Sequence, residues 1–428
     1  MSALHAPMKC ATRKFGAGFG AGLTRRKGVH NVPRPRGPAA IRYNKVREAA
    51  QQGLRRRSML RKVAITLAVL VTGWIGGDAP RAMAADPILF GAIIPLTGAA
   101  AVVGTQEMRG IQFAIDAVNA KGGVRDHKIE VQFEDNQAKS DVAVLSFNKL
   151  VDLQHVQMIF TGYSGPTLAM APLATRKKIL MINAGAQSDK LSAASPYLVN
   201  TLPSTGDEVK VMSKYLVEQG KKKAVVLFEN DAAGIGGRDD FLDLFPKAGG
   251  TIVGQEPVQF GQTDYRPALL KLADAKPDVM YVVITAGMPL LVQQLKQMSP
   301  AFTTAGSTFA SDPAAIADPA SAGLIHTQVQ INAPPELAAA FKAKYGDDMD
   351  FFARQYYNAA QIILTTLDKV LQENKPVTGE TLHDTLFAIK TFQGLVPMTF
   401  NSNTATVPIG INMMKDGKDV TLTQVTAQ

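Results

Sequence analysis

Tyr163-Ser164-Gly165-Pro166-Thr167 follows an apolar run and precedes a stretch of helical spacing. A strand that feeds a helix through such a turn leaves first-turn N–H groups free. Ser164 suits the capping position, and Pro166 suits a first turn, where its missing N–H costs little. Free N–H groups and the helix dipole favour an anion by about 0.3–1 kcal/mol, up to ~2 when partly buried. The same five residues also describe an ordinary capped helix. Other chemistry finds little support. His5, His30, His127, His155, His326 and His383 form no pair at metal-binding spacing. No serine sits in a Gly-x-Ser-x-Gly elbow. Gly234-Ile-Gly236-Gly237 lacks the Gly-x-Gly-x-x-Gly spacing of a dinucleotide loop. The single cysteine, Cys10, lies far from the turn, so no cysteine metal site, nucleophile or disulfide belongs to the body of the chain. The expectation is a chain that is not an enzyme and holds no cofactor or metal.

The elements around the turn alternate. Ile88–Ile94 reads as a buried strand ended by Pro95. Thr105–Ala120 has apolar residues at helical spacing and stops at Gly122-Gly123. Strand, helix, strand, helix, strand follow to Ile182, and a second alternating set runs from Glu208 to Gln330. Three helices are predicted over 336–345, 353–373 and 379–389, then a β-rich end. Strands alternating with helices of ten or more residues predict parallel sheets covered on both faces. Two sets predict two α/β lobes, each doubly wound. Ligands of such sheets sit beyond the carboxyl ends of the strands, which directs attention to the loops after Ile94, Phe160, Ile182, Phe228 and Ile284.

Charge is unevenly placed. The chain of 428 residues has a net charge of +10, yet residues 1–58 carry +13 and residues 59–84 carry +2. Residues 85–428 are left at −5, so the body is mildly acidic and nucleic acid is not an expected partner. Arg61-Lys62, an apolar run from Val63 to Ile75, and Ala82-Met83-Ala84 form the charged, apolar and small-residue regions of an export signal over 59–84. The run is too short for a bilayer-spanning helix, so no stable membrane anchor is expected after cleavage, and the periplasm is the expected location. Residues 1–58 form a basic, low-complexity extension, untranslated or disordered. Arg56-Arg57-Ser58-Met59-Leu60-Arg61 leaves a twin-arginine route open beside the general one.

Several segments together resemble one family: Gly91-Ala-Ile-Ile-Pro95-Leu-Thr-Gly98, Gly104, Gly110, Asn119-Ala-Lys-Gly-Gly123, Glu134-Asp135, Ile179–Ala186, Tyr356-Tyr357-Asn358-Ala359-Ala360 and Asp416-Gly417-Lys418. In order and spacing they resemble the type I periplasmic binding proteins of ABC importers, in the leucine/isoleucine/valine-binding branch. The resemblance implies two lobes joined by a three-crossing hinge, with 86–204 plus 333–400 as lobe one and 205–332 plus 401–428 as lobe two. It implies a small-molecule ligand trapped by hinge closure, and the importer's membrane subunits as partners. A ligand sensor on the same fold is the alternative, with a Rossmann-like enzyme behind it.

The resemblance also implies a site. Ser164, with Tyr163, Gly165 and Thr167 beside it, aligns with the loop that holds a ligand carboxylate. Gly185 aligns with a backbone contact, and Gln187 replaces a usual threonine. Val103, with Val102, falls in the loop that covers the ligand. In lobe two, Ala233 and Thr285 replace aromatic residues. The acid that pairs with an amino acid's ammonium is missing near Gly306–Thr308, and Asp312 is the nearest carboxylate. An unpartnered buried ammonium costs several kcal/mol. This leaves a branched-chain or other amino acid and an amine-free aromatic or keto acid both open. Asp231 and Asp312 are candidate polar contacts, or simply helix caps.

Overall fold

A computed structural model describes residues 85–426. The export signal and the basic extension lie outside the described residues. The first layer starts with β1 (Ala85–Ile94), whose last five residues are buried, and α1 (Ala101–Ala120), which buries Gly104, Glu107, Gly110, Ile111, Ala114 and Ile115 on one stripe. It continues through β2 (His127–Asp135), α2 (Ser140–Asn148), β3 (Met158–Thr161), α3 (Ser164–Lys177), β4 (Leu180–Asn183) and β5 (Leu198–Asn200). The five strands form one parallel sheet in the order β2-β1-β3-β4-β5.

The second layer opens with α4 (Thr205–Glu218), started by a capping box between Ser204 and Asp207. Then come β6 (Lys223–Glu229), α5 (Ala232–Lys247), β7 (Thr251–Val258), α6 (Arg266–Ala273), β8 (Val279–Val283), α7 (Met288–Met298), β9 (Thr303–Gly306), α8 (Pro313–Ala317) and β10 (Ile325–Val329). The chain next forms α9 (Pro335–Tyr345), α10 (Phe351–Gln372) and α11 (Gly379–Ile389). Phe352, Tyr356, Ile363, Leu367, Leu382 and Leu386 of α10 and α11 pack into the first sheet's core. Gly110 makes this possible, because a Cβ there would strike the Ala353 carbonyl of α10.

Three short strands follow, β11 (Thr391–Phe392), β12 (Met398–Phe400) and β13 (Ala405–Thr406). Finally β14 (Pro408–Lys415) and β15 (Lys418–Thr426) extend the second sheet to the order β15-β14-β10-β9-β8-β6-β7. Its last two strands are antiparallel additions to a parallel sheet.

The chain thus passes between the layers three times, at 201–204, 330–334 and 407–408. Residues 401–406, expected with the second lobe, stay with the first. Ala405 pairs with Phe400, and Ala405 and Val407 bury themselves in the first core. Short β5 and β9 were not expected from the sequence.

Candidate ligand-binding cleft

The loop after β3 begins with Gly162 and Tyr163. Tyr163 has φ +64 and ψ 127, an uncommon conformation for a side-chain-bearing residue, and it occupies the capping position of α3. Its carbonyl accepts the Thr167 N–H at 3.0 Å. Ser164 is therefore the first helical residue and not the cap that its type suggested; the turn at Tyr163 starts the helix one residue early. Pro166 still falls within the first turn, where no acceptor is lost. The N–H groups of Ser164 and Gly165 have no carbonyl within the helix to bond. Ser164 Oγ, buried, accepts the Ser188 N–H at 3.3 Å. Thr167 turns inward, with its hydroxyl 3.0 Å from that of Thr161 and 3.2 Å from the Gly162 carbonyl. It braces the loop from within.

After β4, Gly185 and Ala186 donate to Asn183 Oδ1 at 3.1 and 2.7 Å. Gln187 departs from the expectation. Its amide points toward the first interlayer connection, donating to the Pro203 carbonyl at 3.2 Å and to Glu208 Oε1 at 2.8 Å. Val103 lies on α1, packed against the first core, and Val102 is 63% exposed. The loop expected to cover the ligand is helical from Ala101 onward.

From the second layer, β6 ends in Glu229, which is fully buried. Its carboxylate accepts from Thr285 N at 2.6 Å, Thr285 Oγ1 at 2.5 Å and Gly261 N at 3.4 Å. Burial raises Glu229 to about 7 against those hydrogen bonds. The Thr285 hydroxyl is thus committed to Glu229. Asp231 caps α5 through Gly234 N at 2.7 Å, and Ala233 is buried in that first turn. Asp312 caps α8 through Ala314 N at 2.8 Å and Ala315 N at 3.1 Å. Both aspartates are raised chiefly by burial.

The two sets meet at Tyr163. Its hydroxyl is held far above its ordinary value by burial and by the fields of Glu107, Glu229, Asp231 and Asp312. Its ring meets Phe260 of the second layer edge to face, with centroids 6.5 Å apart. A Cβ on Gly261 would come within 2.9 Å of the Ala99 Cβ. The loops at 95–100, 162–165 and 259–262 therefore touch, and the layers are closed on each other. Sequence reasoning brought Tyr163, Ser164, Gly165, Asp231 and Asp312 here. It missed Glu107, Glu208, Glu229 and Phe260. An acid directly after the apolar strand Ala224–Phe228 was the available signal for Glu229.

A profile described as periplasmic binding protein matches residues 87–417. The chain belongs to the periplasmic binding protein family. Within it the chain is 27% identical to Leu/Ile/Val-binding protein homolog 3 of Brucella melitensis over 45% of this chain and 53% of that one. With Leu/Ile/Val-binding protein BraC3 of Rhizobium johnstonii the identity is 26%, over 71% and 85% of the respective chains. Its fold is also that of a solute-binding protein of an ABC transporter from Rhodopseudomonas palustris BisB5, solved in complex with 3,4-dihydroxybenzoic acid. That structure has a TM-score of 0.71 and 24% identity, and the match covers 80% of this chain and 98% of that one. Among the described residues of this periplasmic binding protein no helix is long and apolar enough to cross a membrane.

Proposed function

We propose that this chain is the solute-binding component of an ABC importer, exported to the periplasm through residues 59–84, and that it works by binding alone. Residues 86–204 with 333–406 act as one lobe and 205–332 with 407–428 as the other. They close over a small carboxylate. The N–H groups of Ser164 and Gly165 and the Ser164 hydroxyl take the ligand's carboxylate, with Gly185 beside them. The importer's membrane subunits receive the closed form.

One observation carries this reading. Tyr163, in the loop that presents those N–H groups, meets Phe260 of the opposite layer edge to face and lies within the fields of Glu229, Asp231 and Asp312. A ligand seated there touches both lobes, so it favours closure. The three opposing acids favour a ligand that also carries an ammonium, and so an amino acid. The Tyr163–Phe260 ring pair supports a second reading, an aromatic acid of the kind bound by the Rhodopseudomonas protein.

A thermal-shift screen of residues 85–428 tests both, with leucine, isoleucine, valine, benzoate and 3,4-dihydroxybenzoate as probes. A ligand at a hundredfold excess over Kd stabilises by about 2.7 kcal/mol. Shifts with amino acids support the first reading, and shifts with the benzoates alone support the second. No shift with any of them removes the carboxylate role given to Ser164.

A further inference from the structure

Glu107 lies on the buried stripe of α1, is fully inaccessible, and receives no hydrogen bond on either carboxyl oxygen. Beside it stands Tyr356 of α10, equally buried, whose hydroxyl donates to the Thr161 carbonyl at 3.0 Å. That carbonyl also accepts the Ala184 N–H at 3.4 Å, so it joins the loop after β3 to the loop after β4. Both loops carry a glycine at this point. A Cβ on Gly185 would lie 2.7 Å from Tyr356 Oη and 2.9 Å from Glu107 Oε1. One on Gly162 would strike Tyr356 Oη and lie 3.3 Å from Glu107 Oε1. Two glycine turns therefore close over one carboxyl–phenol pair.

A charged carboxylate without donors is strongly disfavoured in such a place. A neutral carboxyl has an O–H to give, and Tyr356 Oη, whose own proton goes to Thr161, has lone pairs to accept it. Burial raises Glu107 to about 8, opposed by the Tyr356 hydroxyl and assisted by the charge of Asp350.

We propose that Glu107 is a positioning residue for the cleft: as a neutral acid it supports Tyr356, which holds the two loops bearing Ser164 and Gly185 in binding register. Ionised, it draws the Tyr356 hydroxyl away from Thr161 and sets a negative charge beside Gly162, two residues from the anion-binding turn. Ligand affinity then falls as pH rises through the Glu107 transition. The titratable groups facing Glu107 are Tyr356, Tyr163 and Asp350. Both tyrosines are held far above 10 and Asp350 lies at about 6, so none changes charge between pH 7 and 9. The affinity arm rests on the cleft reading given above; the loop arm does not.

The test compares the wild type with Glu107→Gln, which stays neutral and keeps a donor for Tyr356. Amide exchange at 162–165 and 184–187 is measured without ligand, always at matched pH. The two proteins should agree at pH 6.5, and the wild type should exchange faster at pH 9. Equal exchange at both values overturns the proposal, whatever the cleft binds. With leucine or benzoate as probe, whichever binds, wild-type Kd should weaken between pH 7 and 9 by roughly tenfold more than that of Glu107→Gln, since both proteins share whatever Glu229 contributes. Parallel profiles overturn the coupling to binding. Tyr356→Phe, which leaves the acid in place but removes the hydroxyl, should loosen the same amides at every pH. Unchanged exchange in that variant overturns the route through Tyr356.

Discussion

Gln187 Nε2 donates to Glu208 Oε1 at 2.8 Å, tying the loop after β4 to the helix that opens the second layer. Glu208 is fully buried, and Thr308 N, Thr308 Oγ1 and Thr327 Oγ1 complete its set of donors at 2.9, 2.5 and 2.8 Å. A carboxylate does lie against Thr308, but it comes from α4 and is fully engaged by the protein. It pins the hinge region and leaves no lone pair for a ligand ammonium. Replacing Glu208 with Ala strands two buried donors of the second layer, Thr308 N and Thr327 Oγ1, each worth about 1–3 kcal/mol when unsatisfied, while Thr308 Oγ1 keeps the Thr327 carbonyl. The expected loss is about 2 kcal/mol or more in urea unfolding, with about 1–3 for Gln187→Ala. A loss below ~1 kcal/mol for Glu208→Ala contradicts the assignment.

Glu229 makes stability and binding depend on pH. Its folded value of about 7 lies above the ordinary 4.5 because it is buried. Between those values the unfolded chain releases a proton that the folded chain keeps. The Glu229 contribution to stability is therefore greatest below 4.5, falls as pH rises toward 7, and levels off above it, with a slope of at most ~1.4 kcal/mol per pH unit. The Glu229→Gln variant lacks this component, so the wild type should lose stability relative to it between pH 5 and 7. Ligand charge sets the sign of the linked proton. An ammonium beside Glu229 favours its ionised form, so an amino acid binds at pH 6.5 with proton release, whereas an amine-free acid binds with proton uptake. Calorimetry in two buffers of different ionisation enthalpy reads the sign directly.

Periodicity made most elements legible. The long amphipathic helix α10 and the apolar strand β6 declare themselves by spacing, because their packing repeats over many residues. The turn at 163–165 was legible as a helix start, since Ser, Gly and Pro each carry a local backbone preference. What stayed hidden is long-range. Glu107 and Tyr356 are 249 positions apart and meet only when α1 crosses α10. Gln187 has the chemistry of a ligand contact, yet its orientation depends on Glu208, which no local pattern places. Asp231 and Asp312 were read as polar ligand contacts or as helix caps, and the cap is realised by specific N–H partners.

Ser164→Ala separates binding from stability. The hydroxyl accepts a single 3.3 Å bond from Ser188 N, so its loss should lower stability by about 0.5–1.5 kcal/mol. A hydrogen bond from that hydroxyl to a ligand carboxylate is worth about 1.5–3 kcal/mol, so Kd should weaken by roughly tenfold or more. Titration calorimetry with the probe identified by the screen checks this. An unchanged Kd removes Ser164 from the site.

Phe260 should govern release. It sits in the short loop after β7, and its ring meets Tyr163 edge to face across the closed cleft. Such pairs contribute about 0.5–1.5 kcal/mol beyond the area they bury. The contact exists only when the layers are together, so it stabilises the closed state and does nothing for the open one. Phe260→Ala should therefore shift the ligand-free protein toward the open form and shorten the life of the complex. Because encounter does not use this contact, the association rate should stay near that of the wild type. The dissociation rate should rise about threefold to tenfold, with Kd following it. Stopped-flow binding and small-angle scattering measure the two effects separately. A slower association with unchanged dissociation would mean that Phe260 shapes the entrance of the cleft and not its closure.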